Sequence, residues 1–191
     1  MIFESIFLFV FCIILAFLEV QIEGEHGWAS KLPTCRPAQS HWLSKMYGRF
    51  MGGKELTGYH VGMFSLVLFV LHGFYFWNYS WSFHKELQVL ALFLFVSVVW
   101  DFLWFVLNPH FGWKKFSPIY VAWHSSWLGP WPYDYYIGLI AYVILYSFSF
   151  MNNWQTGFFE AIRLGLNVVA LVVVTILIRY FYDNKINKKL L

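Results

Sequence analysis

A chain of 191 residues that is 60% hydrophobic, 24% aromatic and only 12% charged cannot wet a globular surface, because soluble domains carry about a quarter charged residues. The net charge of +3 is small, and no basic run exceeds a pair (Lys114-Lys115, Lys188-Lys189), which excludes a nucleic-acid surface. What remains is an all-α, polytopic membrane bundle, a single domain over residues 1–191, with five spans at about 2–20, 61–80, 88–107, 135–151 and 164–182. The continuously apolar runs 89–100 and 166–178 favour helices over the alternating strands of a barrel.

The first segment carries Glu4 where a signal peptide has a basic residue, and no small-x-small site follows it. A retained first helix is expected. Cys12 lies inside that helix and Cys35 in the next loop, so a disulfide between them is not expected. With five spans, loops 21–60 and 108–134 and the tail from 183 share one side. That side holds Lys31, Arg36, Lys45, Arg49, Lys54, Lys114, Lys115, Arg179, Lys185, Lys188 and Lys189; the other holds only Lys85 and Arg163. The positive-inside rule makes the basic side cytosolic, giving N-out, C-in. Trp77, Tyr79, Trp81, Trp127, Trp131, Tyr133, Tyr135, Tyr136, Tyr180 and Tyr182 fall where interfacial aromatic belts belong. The 22 Phe residues exceed a belt; they serve lipid contact and packing, or line a hydrophobic tunnel.

Loop 21–60 has turn residues in Gly24, Gly27, Pro33 and Pro37, then a short amphipathic helix within 41–50 ended by Gly52-Gly53. Thr57 is placed to cap the second long helix, with Tyr59 and His60 in its first turn. Asn108-Pro109 should stop the third. Residues 119–128 either dip into the membrane surface or lie flat on it.

Ionisable residues cluster at one end. Glu19, Glu23 and His26 follow i, i+4, i+7 spacing, and Glu23-x-x-His26 is the pair used by di-iron carboxylate bundles. Gly24 and Gly27 oppose a helical extension that far, and Glu25 is an alternative ligand. Asp101 lies about 9 Å of helix before the end of its span, where a lone carboxylate is costly, so it should face the interior and a partner. His60, His110 and His124 fall at the same level, and Asp134 there either joins them or caps the fourth helix. Mid-helix His72 is expected to bond between helices, and Glu160 with Arg163 to pair at the other face.

These positions define a proposed metal set of Glu19, Glu23, His60, Asp101, His110 and His124, with Asp101 and Glu19 as catalytic groups. A mixed N/O site suits iron, with zinc or manganese as alternatives. Arg36, Arg49 or Lys54 folding back from the loop is the alternative neutraliser of Glu19 and Glu23. The expected function is a membrane-embedded enzyme acting on a lipid or isoprenoid-like substrate at the cytosolic face, by hydroxylase- or desaturase-like oxidoreductase chemistry. The histidines nonetheless form none of the H-x-x-x-H boxes of membrane desaturases. A metal-free lipid isomerase, a transport subunit and a non-catalytic assembly subunit are the rivals. Walker loops, G-x-G-x-x-G, G-x-S-x-G and H-E-x-x-H are absent from the sequence.

Overall fold

The computed structural model describes residues 2–77, 80–112, 115–121 and 123–187. Tyr79, Lys114, Lys188 and Lys189, used above for belts and orientation, lie outside them. The chain is mostly helical, with 70% of it in helix. Among the described residues six α-helices run α1 (Ile2–Glu23), α2 (Trp42–Phe50), α3 (Gly58–Phe76), α4 (Phe83–Leu107), α5 (Tyr133–Phe148) and α6 (Trp154–Asn187). A two-stranded antiparallel turn, β1 (Trp127–Leu128) with β2 (Trp131–Pro132), precedes α5.

Three helices are long and apolar enough to cross a membrane: Ile2–Glu23, Phe83–Leu107 and Met151–Asp183. The other two expected spans are shorter. The 19 residues of α3 and 16 of α5 reach about 28 and 24 Å at 1.5 Å per residue, against roughly 30 Å of hydrocarbon.

α4 is the central element, packed by α1, α3, α5 and α6. On α1, the buried Leu8, Cys12, Leu15 and Ala16 recur at i, i+4, i+7 and i+8, the stripe by which a helix docks on a neighbour. Val89, Leu92, Val96 and Leu103 of α4 are equally buried, and Cys12 donates to the Val96 carbonyl at 3.8 Å. Both cysteines are free, as expected. α3 packs on α4 through Val67 and Leu71 and has no comparable face on α5.

Two differences from the sequence reading have clear causes. α6 begins at Trp154, ten residues before the expected span. Its first turns are polar, yet they are helical because Gly157 lets α6 approach the end of α5: a Cβ there would lie 2.7 Å from the Ser147 carbonyl oxygen. An ion pair of Arg163 with Glu160 at 2.7 Å supports the same turns. The described residues of 119–128 are irregular chain ending in β1, in keeping with the prolines on either side of the segment.

Candidate functional site

Helix ends meet at one pole of the bundle: the C-termini of α1 and α4 and the N-termini of α3 and α5. Local chemistry sets each end. Gly24 adopts φ +61°, and its N–H returns to the Val20 carbonyl at 2.9 Å, closing α1 immediately after Glu23. Asn108 ends α4 and is fully buried; its side-chain amide donates to the Gly24 carbonyl at 2.7 Å, tying the two helix ends together. The Thr57 hydroxyl accepts the His60 N–H at 3.2 Å and starts α3. The loop before α3 and the loop before α5 fold across this pole and enclose a cavity of about 220 Å³. Its polar wall includes Glu19, Glu23, His60, Asp101, His124 and Asp134.

The polar residues fall into two groups. In the first, His124 bridges two carboxylates: Nε2 is 3.2 Å from Asp101 Oδ2 and Nδ1 is 2.9 Å from Asp134 Oδ2. The buried Lys54 ammonium donates to the same Asp134 oxygen at 3.0 Å and lies 4.4 Å above the Trp28 ring. The Tyr135 hydroxyl donates to Asp101 Oδ2. The Lys54 ammonium also lies 3.3 Å from Nδ1, but a carboxylate against each ring nitrogen favours the doubly protonated, charged imidazole. Burial opposes that charge, but the Asp101 and Asp134 carboxylates outweigh it and hold the His124 pKa above its ordinary value. Two anions face two cations, so this group is neutral overall.

The second group is Glu19, Glu23 and His60, all buried, with one potential ligand atom from each lying within 4.8 Å of the others. Glu23 accepts the Ala29 N–H, and Glu19 accepts the Tyr59 hydroxyl at 3.4 Å. Among the described residues, no lysine or arginine forms an ion pair with either carboxylate. The His60 ring stacks on Trp28 at 4.0 Å, and its Nδ1 lies 2.7 Å from the Thr57 hydroxyl, leaving Nε2 for another partner. A divalent ion about 2.1 Å from each donor needs donors roughly 3–4 Å apart, against the 4.8 Å within which this trio lies.

Of the six positions proposed as ligands from sequence, five line the cavity and one does not. His110 is the exception. The Asn108 side chain accepts its N–H at 2.9 Å in a turn just past α4, and the imidazole is exposed. His26 also turns outward beyond Gly24, beside Glu25 at 3.5 Å. His72 bonds across helices as expected, with Nε2 3.2 Å from Glu86 of α4.

Sequence reasoning undervalued three participants. Lys54 was one of three loop cations considered, and the Gly52-Gly53 turn, with φ of +62° and +89°, swings it inward toward Asp134. Tyr135 read as a belt aromatic and Asp134 as a possible cap. Their adjacency at the start of α5 was the available signal, since consecutive residues there place both beside the α4 carboxylate. No family model, no curated protein and no solved structure matches the chain.

Proposed function

We propose that this chain is a membrane-embedded enzyme whose cavity acts on a lipid-like substrate with a divalent metal ion held by Glu19, Glu23 and His60. The observation that carries the reading is the unneutralised trio. Two buried carboxylates are costly as anions and keep their protons unless a cation joins them, and one divalent ion with a neutral imidazole would balance the ionised pair. Iron in such an open-sided N/O set supplies oxygen activation for hydroxylation or desaturation, and zinc or manganese would instead polarise a substrate oxygen. Around it, Asp101 and Tyr135 would orient a substrate head, and the charged His124 would hold a proton at Nε2 for transfer through Asp101.

Metal analysis of detergent-purified protein tests this. Wild type should carry close to one equivalent of a transition metal, and Glu19→Gln and Glu23→Gln should each remove most of it without unfolding the bundle. A metal-free wild type, or variants retaining full metal, would refute the site.

In our reading α3 and α5 also cross the bilayer, giving five spans, N-out and C-in, with the cavity at the cytosolic end. The 11-to-2 division of basic residues supports that orientation. A reporter fused after residue 85 should read external, and one after residue 120 cytosolic; the opposite pattern overturns the arrangement.

A second reading rests on the His124 bridge. An imidazolium between two carboxylates is a ready acid–base pair, sufficient for a metal-free proton-transfer isomerisation in which one group protonates the substrate and the other takes a proton from it. It becomes the leading reading if the metal is absent.

A further inference from the structure

α4 is the most enclosed of the three long apolar helices, with 67% of its apolar window buried against 39% and 22% for the others. Yet one stripe of it is open. Val89, Leu92, Phe95, Val96, Val99 and Trp100 are buried, while Leu94, Ser97, Val98 and Asp101 are only half-buried and Leu90 is 40% exposed. These follow i, i+4, i+7, i+8 and i+11 spacing from Leu90, a single helix face. It is open because α3 and α5 flank α4 without closing on each other. Phe64 of α3 and Ile137 and Gly138 of α5 form its sides, and the cleft is continuous with the cavity at Asp101.

We infer that this cleft admits, sideways from the bilayer, the chain of a single-chain amphiphile with an uncharged oxygen head, such as a long-chain alcohol, and delivers that head to Asp101. The inference rests on the membrane-embedded reading above and adds the substrate class and its route.

Three observations select this occupant. Leu94, Val98 and Ile137 are apolar, and the only hydroxyl on the stripe, Ser97, spends its proton on the Phe93 carbonyl at 2.7 Å. That wall offers hydrocarbon nothing to desolvate. The cavity volume of about 220 Å³ lies below the roughly 300–1,000 Å³ of pockets that enclose whole drug-sized ligands. It is therefore sized for a head and part of one chain, with the remainder left in lipid. Where the cleft meets the cavity, at Asp101, Lys54 and His124 already face Asp101 and Asp134, and Glu19 and Glu23 line the cavity beyond. A charged head would add an unpaired charge there, and a hydroxyl adds none. The close approach of Gly138 to α4, where a Cβ would meet Val98 Cγ2 at 2.8 Å, keeps the cleft narrow at its inner end.

The test is photolabelling of the full-length protein in nanodiscs with a diazirine-bearing long-chain alcohol, followed by peptide mapping. Adducts should concentrate on residues 90–101 and 137–138. Leu94→Trp should cut that labelling about tenfold, the effect of excluding roughly two methylenes. Ile137→Trp, at an exposed position on the mouth, should do likewise should Leu94→Trp fail to fold, while lipid-facing Leu166→Trp on α6 should change nothing. The matching diazirine fatty acid should label the cleft more weakly than the alcohol. Labelling spread equally over α6, or insensitive to both cleft variants, overturns the inference, and a fatty acid that labels as well as the alcohol overturns the neutral head. Metal content measured on the same preparations keeps the two proposals separable: labelling without metal leaves the cleft standing and removes the metal site.

Discussion

The two halves of the polar cavity hold the same kinds of groups in opposite electrostatic states. Asp101 and Asp134 share His124 and Lys54, and every charge meets its opposite within 3.3 Å. Glu19 and Glu23 sit in the same cavity and accept from neutral donors, the Tyr59 hydroxyl and the Ala29 amide, with no ion pair to lysine or arginine among the described residues. Burial alone does not mark the site, since His124 and Lys54 are as buried as Glu19 and Glu23, while Asp101 and Asp134 are half-buried. The imbalance marks it. A neutral array can stand as structure, whereas two buried carboxylates with no ion pair among the described residues either keep their protons or take a cation from outside.

The same carboxylate-to-amide exchange should accordingly change sign between the halves. In chelator-treated protein, Asp101→Asn should cost about 2–3 kcal/mol, because it strips the charged His124 of a partner. Glu19→Gln should instead stabilise by on the order of 1 kcal/mol, because it removes a repulsion. Thermal unfolding in detergent reads both. Two losses of equal size would mean that Glu19 already has its counter-charge and that the halves do not differ.

A smaller effect follows from pH. The folded-state pKa of His124 is raised above its ordinary 6.5, so its contribution is fully present below the unfolded value and is lost as pH rises through the folded one. The advantage in melting temperature of wild type over His124→Gln should shrink on the alkaline side of 6.5. An advantage that grows with pH would show that the imidazole is neutral in the bridge.

How far these features were legible in the sequence depended on the range of the contact. Asp101 could be read because an aspartate inside an apolar helix is costly whatever surrounds it, and Thr57 because a helix cap is a local affair of three residues. The long helices followed from unbroken apolar runs, although the polar start of α6 did not, since it depends on Gly157 meeting Ser147. The pairing of Lys54 with Asp134 spans 80 residues, and that of Tyr135 with Asp101 spans 34. Nothing in composition or periodicity encodes such a meeting. His110 misled for the same reason: proximity in sequence to a helix end says nothing of the turn that follows.

Gly27 has one more consequence. A methyl group there would lie 2.4 Å from the Trp123 ring, so the loop after α1 and the loop before α5 touch with only a hydrogen atom between them. Gly27, Trp28 and Trp123 line the inner cavity on one side of this seam and, on the other, an outer hollow bordered by Glu25, Arg36 and Glu55. The outer hollow mixes Glu25, Arg36 and Glu55 with Trp28, Phe111 and Tyr120, whereas the cleft along α4 is lined by Leu94, Val98 and Ile137. If the cleft along α4 takes an apolar chain as inferred above, this seam separates that chain's route from the outer hollow, with a single hydrogen atom as the partition at Gly27.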